Sequence, residues 1–212
     1  MLKSAETVAA WENEILPEDY FRPLDLSAVY GRRAPLEVDL GCGDGSFLVA
    51  SADLNPAHDF LGIERLAGRV RRACRNIGRS RITNARVLRV ESFYAVQHLL
   101  PPASVEVFHL LFPDPWPKRR HWRRRVVTND FLAAIHRALV PQGSVRIATD
   151  QMDYFQEIER LVAQSARFAM SSDTEVRSAH STFEKRFRQS DLAIYRLLLR
   201  KVSPSRNEVA SQ

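Results

Sequence analysis

Apolar and polar positions follow two rhythms along this chain, and the changes of rhythm mark its elements. Leu36–Leu40, Asp59–Ile63, Ala85–Val90, Val105–Phe112 and Ser144–Thr149 are short, largely apolar runs bounded by glycine, proline or charge. That pattern predicts strands buried on both faces. Between them the apolar positions take helical spacing: Phe47, Leu48 and Ala52, then Leu66, Val70, Cys74 and Ile77 with Arg69, Arg71, Arg72 and Arg75 on the other faces. Phe93–Leu100 reads as a short helix stopped by Pro101 and Pro102. Phe131, Leu132, Ile135 and Leu139 predict a helix closing at Pro141-Gln142-Gly143, and Phe155, Ile158, Leu161 and Val162 predict another. Residues 193–202 read as a last strand. Strand and helix in alternation predict an α/β domain, a parallel sheet covered on both faces, over residues 35–202. Residues 1–34, with Pro17, Pro23 and the acids Glu12, Glu14, Glu18 and Asp19, show no clean period and are expected to pack irregularly on that domain. Residues 203–212 are expected to form a disordered tail.

An acid lies at or just beyond the carboxyl end of each of the first five strands: Asp39, Glu64, Glu91, Asp114 and Asp150. Right-handed crossovers would gather these carboxylates along one rim, the edge at which open α/β sheets bind ligands. Any one of them could instead cap a helix. Gly41-x-Gly43-x-Gly45 lets the first strand turn sharply and brings bare backbone towards a ligand. Its spacing departs from the G-x-G-x-x-G of dinucleotide sites, since Ser46 stands where the third glycine would be. Glu64, about twenty residues further on, suits the hydroxyls of an adenosine ribose. Asp39 suits a cationic amino-acid end and would repel a pyrophosphate, and Glu91 could take an adenine amino group. The acid-lined site therefore favours S-adenosylmethionine over a nicotinamide cofactor.

Charge changes the picture at one place. Lys118–Arg125 holds six Lys or Arg in eight positions and no acid, in a chain whose net charge is +6. It follows Phe112-Pro113-Asp114-Pro115-Trp116-Pro117, where alternate prolines deny the segment both helix and ladder and leave a stiff loop carrying Asp114. A polyanionic partner fits, although basic runs are often only solvated faces. Trp116 could stack on a base or anchor the loop. No apolar stretch reaches the length of a membrane span, so a soluble cytoplasmic protein without membrane contact is expected. Cys42 and Cys74 fit neither a disulfide framework nor a zinc spacing, and no metal is expected.

The glycine turn, Gly62-Ile63-Glu64, Phe112-Pro113-Asp114-Pro115-Trp116-Pro117-Lys118, Ala148-Thr149-Asp150 and Ser181-Thr182-Phe183-Glu184 resemble, in this order and spacing, the bacterial tRNA (guanine-N7-)-methyltransferases. The similarity covers residues 36–201. It implies a Rossmann-like class I methyltransferase fold, a seven-stranded, mostly parallel sheet whose last strand is antiparallel, with helices on both faces. It implies methyl transfer from S-adenosylmethionine to guanosine N7 in the tRNA variable loop, by a monomer or homodimer. Asp39, Gly41, Glu64, Glu91 and Asp114 would then contact the cofactor, with Asp114 also catalytic. Lys118, Asp150, Ser181, Thr182, Phe183 and Glu184 would bind substrate, and Arg120, His121, Arg123, Arg124 and Arg125 would contact RNA. Thr182 departs from the family, which commonly has a basic residue there. Two rivals stand beside this reading: an RNA-binding adaptor on an inactive methyltransferase scaffold, which has no need of five rim acids, and a nicotinamide-dependent oxidoreductase.

Overall fold

The computed structural model describes residues 11–171 and 193–202. Its strands are Glu14–Ile15 (β1), Leu36–Leu40 (β2), Asp59–Ile63 (β3), Ala85–Leu88 (β4), Val105–Leu111 (β5), Leu139–Thr149 (β6), Phe168–Ser171 (β7) and Tyr195–Lys201 (β8). Its α-helices are Leu26–Tyr30 (α1), Ser46–Leu54 (α2), Ala67–Arg79 (α3), Ser92–Tyr94 (α4), Asn129–Ala138 (α5) and Met152–Ser165 (α6). α4 runs on into a π-helical turn, Ala95–Leu99, and the basic run forms a 3-10 segment, Arg119–Arg124.

Among the described residues the strands make one sheet in the order β1-β4-β3-β2-β5-β6-β8-β7. β1 to β6 pair in parallel, and β8 runs antiparallel to both β6 and β7. The mostly parallel sheet expected from the sequence is present, with eight strands in place of seven. The additional strand is β1, which binds the free edge of β4 through the Val87 N–H donating to the Asn13 carbonyl at 2.8 Å.

The two faces are covered differently. α2 and α3 pack Leu48, Ala52, Val70, Ala73, Cys74 and Ile77 against Phe60, Ala85 and Val87. The larger core lies on the other side, where Val96, Leu99, Phe131, Ile135, Tyr154 and Ile158 meet Val38, Leu61, Ile63, Phe108 and Leu110. Pro141-Gln142-Gly143 does not close a helix, as the sequence suggested. α5 already stops at Ala138, and the three residues bulge within β6, whose pairing jumps from Val105↔Leu139 to Val107↔Ser144. Gln142 sits there in the left-handed region at φ +64°. Strand order reverses between β2 and β5, so a crevice opens where their carboxyl ends part.

Candidate active site

A cavity of about 550 Å3 occupies that crevice, lined among others by Gly41, Glu64, Glu91, Asp114, Trp116 and Arg124. Its volume lies within the roughly 300–1,000 Å3 usual for small-molecule sites. The first wall comes from the turn after β2. Gly41 takes φ +83°, so the chain reverses at once and the Gly41 and Cys42 N–H groups donate to the Ile63 carbonyl at 2.8 and 3.0 Å. Gly45 has no room for a side chain, since a Cβ would stand 2.8 Å from that of Ala73 on α3. The close seating of α2 on α3 thus depends on the glycine.

The second wall is the end of β3. Glu64 is only 4% exposed; its Oε1 accepts from the Leu66 N–H at 2.9 Å and its Oε2 pairs with Arg69 at 3.6 Å. Asp39, also 4% exposed, lies inside β2 and is absent from the cavity wall. Burial first, and the neighbouring Glu64 second, push its carboxyl up to about 7. Asp39 is thus held beside Glu64 and away from water, which costs free energy in its charged form unless a cation or hydrogen-bond donors arrive beside it. Glu37, two residues earlier on the same face, is treated differently. Burial opposes its charge, but hydrogen bonds from His109 (2.7 Å) and His58 (2.9 Å) win, and its carboxyl stays below the usual range.

Glu91 is exposed at the cavity edge and caps α4, accepting from the Phe93 and Tyr94 N–H groups at 3.0 and 2.8 Å. The capping alternative therefore applies to this acid, and each of its oxygens keeps capacity to accept a further hydrogen bond.

The third wall is the loop after β5. Phe112 and Trp116 both take positive φ, +53° and +43°, backbone conformations that non-glycine residues hold only when their surroundings over-determine them. The Phe112 N–H donates to the Ala148 carbonyl at 2.7 Å, fixing the start of the loop. Its far side is fixed by Arg125, which is 4% exposed. The Arg125 Nε donates to the Pro115 carbonyl at 2.8 Å, Nη2 pairs with Asp153 at 2.9 Å, and Nη1 pairs with Glu157, both acids on α6. The guanidinium also lies 4.8 Å from the Trp122 ring centroid and 4.6 Å from that of Tyr154. Between these anchors Asp114 projects, exposed, into the cavity wall. Trp116 carries the Arg124 guanidinium 4.9 Å over its ring and meets His121 edge-on at 5.8 Å.

The family model described as "Putative methyltransferase" matches residues 33–197. The chain belongs to that methyltransferase family. It is 32% identical over 194 residues to the tRNA (guanine-N(7)-)-methyltransferase of Thermotoga maritima, covering 90% of this chain and 62% of the relative. It is 38% identical over 145 residues to the protein of the same name from Halorhodospira halophila, covering 68% of this chain and 63% of that one. The chain spans about three fifths of the length of these curated relatives. In structure it is similar to the antibiotic-resistance methyltransferase Kmr, with a TM-score of 0.60 and 20% identity over 85% of this chain and 93% of that one. A methyltransferase of Aquifex aeolicus described as SAM dependent gives 0.57 and 14%, over 79% and 82%. These two likenesses show the fold.

Set on the methyltransferase fold, the residues singled out in the sequence fall into three groups. Gly41, Glu64, Glu91, Asp114 and Arg124 meet at the cavity. Asp39 underlies it, while Lys118, Arg120, His121, Arg123 and Asp150 lie outside its wall; Asp150 accepts from the Gln151 side chain at 3.0 Å. Ser181, Thr182, Phe183 and Glu184 lie outside the described residues. Arg125 is turned inward and held by α6, so the exposed part of the basic run ends at Arg124. The sequence reading missed Arg65, Arg69 and Ser92 at the wall and the acids Asp153 and Glu157 behind it. The spacing of Asp153 and Glu157, one helical turn apart on α6, was the available signal for a buried cation. Among the described residues no helix is long and apolar enough to cross a membrane, and no group of three or more His, Cys, Asp or Glu stands ready to hold a metal.

Proposed function

We propose that this chain transfers the methyl group of S-adenosylmethionine to N7 of a guanosine in the tRNA variable loop, in the cytoplasm. The observation that carries this is the meeting, in one cavity, of the buried Glu64 at the end of β3 with Asp114 on its proline-stiffened loop. The donor set fits the cofactor: Glu64 would accept from ribose hydroxyls, and Glu91 from the adenine amino group. Asp39 and Glu64, crowded and desolvated, would be relieved by a cationic group close by. Bound S-adenosylmethionine supplies an electrophilic methyl group on a positively charged sulfur.

Guanine N7 holds an unshared lone pair at neutral pH, so no residue has to remove a proton, and the protein's part is alignment and charge compensation. Asp114 would accept from the guanine N1 and N2 hydrogens and offset the positive charge that the ring acquires. Its two proline neighbours and the Arg125 anchor hold that carboxylate in place beforehand. Lys118, Arg120, His121, Arg123 and Arg124 would hold tRNA backbone, positioning it without reading sequence. Asp150 and Ser181–Glu184 would complete the base contacts. The test is incubation of the chain with S-adenosylmethionine and unmodified tRNA transcripts, followed by mapping of N7-methylguanosine through strand cleavage. A single site in the variable loop is expected; no site, or a site elsewhere, overturns the proposal. Thermal stabilisation by S-adenosylhomocysteine separates the rivals, since neither an oxidoreductase nor an adaptor with a decayed cavity should respond.

A further inference from the structure

The second basic surface of the molecule is α3. Its thirteen residues, Ala67–Arg79, include Arg69, Arg71, Arg72, Arg75 and Arg79 and no acid. All five arginines are exposed, while Val70, Ala73, Cys74 and Ile77 form the buried stripe on the opposite face. For the helix itself this arrangement is unfavourable. Arg71, Arg75 and Arg79 follow at i, i+4 and i+8, and Arg72 sits three before Arg75, so like charges neighbour one another at about 0.2–0.5 kcal/mol each. Arg69 and Arg71 crowd the positive end of the helix dipole, where no acid stands in the first turn. Mixed signs on this face, with acids in the first turn, would stabilise the helix instead. Among the described residues, Arg69 is the arginine of the five that has an ion pair, with Glu64. Glu14, close enough to the helix to push up the Cys74 thiol, is itself engaged by Arg89 at 3.8 Å.

The position of α3 gives this surface its meaning. Arg65, just before the helix, and Arg69 in its first turn line the cavity, and Arg124 of the basic run lines it too. An acidic floor is thus flanked by arginines from two separate elements. α3 extends the positive surface by about 20 Å, at about 1.5 Å per residue. We propose that the exposed face of α3 binds phosphates of the tRNA whose guanosine enters the cavity, so that the RNA is held across both sides of the cavity mouth. This inference rests on the function proposed above and adds a partner surface to it. Phosphate contacts of this kind need charge and little geometry, and each steepens the fall of affinity with salt.

The experiment compares tRNA binding over a range of salt concentrations for the wild type, a variant carrying Arg71→Gln, Arg72→Gln, Arg75→Gln and Arg79→Gln together, and the corresponding fourfold Lys variant. None of the four lines the cavity, and Gln is a good helix former, so S-adenosylhomocysteine affinity and thermal midpoint report whether the variants are intact. With four contacts at roughly 0.7–0.9 each, the salt slope should fall by about three in the Gln variant, with tRNA affinity lowered at least tenfold, and the Lys variant should restore both. An unchanged slope in a Gln variant that still binds S-adenosylhomocysteine overturns the inference and leaves the proposed activity standing. Loss of binding to anionic phospholipid vesicles rather than to tRNA would assign the face to a membrane surface and overturn it as well. Failure of the wild type to bind or methylate tRNA would remove the proposed function together with this surface.

Discussion

The two walls of the cavity are built by opposite means. Asp39 belongs to a strand in the middle of the sheet and Glu64 directly follows its neighbour β3, with regular register between the two strands, and both carboxylates are buried. Asp114 sits on a loop with two left-handed non-glycine residues, exposed, and held from behind by one inward-turned guanidinium. The sheet side of the site is therefore fixed by the fold and stores an electrostatic cost, whereas the loop side is fixed by local strain and a single buried cation. Regular structure can hold two repelling acids together; a loop can be re-aimed without touching the sheet.

The largest effect should come from the stored charge. The folded chain keeps a proton on Asp39 up to about pH 7 that an ordinary aspartate with a value of 3.8 gives up. The folded state therefore binds more protons between these values, and stability falls as pH rises from about 4 to about 7. Asp39→Asn should remove that slope, gaining on the wild type up to about 4 kcal/mol by pH 7 in urea unfolding, with little difference below pH 4. A difference that stays flat from pH 4 to 7 would mean that the sheet side stores no such cost. Arg125→Ala should come next. It strands Asp153, Glu157 and the Pro115 carbonyl, and should lower stability by about 3 kcal/mol. Turnover should fall further than affinity for S-adenosylhomocysteine, because the loop loses its anchor while the sheet does not. Equal loss of both would show that the walls are not independent. Glu64→Gln is expected to be the smallest, about tenfold weaker binding of S-adenosylhomocysteine by calorimetry. Unaltered affinity would remove Glu64 from the cofactor side.

The same contrast explains what could be read from the sequence. β2 and β3 were legible to the residue, because each is a short run rich in Leu, Val, Ile or Phe whose end is marked, by Gly41 in one case and by Glu64 in the other. β1 is two residues long and β7 alternates too weakly, buried only at Phe168, so neither carries a period. β6 begins at Leu139, inside what reads as a helix stop, because Pro141-Gln142-Gly143 has the same composition whether it ends a helix or bulges a strand. Within the basic run, Arg123, Arg124 and Arg125 are indistinguishable as letters. Only the placement of Asp153 and Glu157 on α6, far along the chain, turns the last of them inward.

The most direct measurement sets the two walls against each other in one variant. With Asp114→Ala, turnover on tRNA and affinity for S-adenosylhomocysteine are determined side by side. The account predicts that turnover falls on the order of 10²–10³-fold, as for removal of one preorganised stabilising group, while the dissociation constant shifts less than about tenfold. Turnover within a few-fold of wild type, or affinity lost in step with it, would contradict the account.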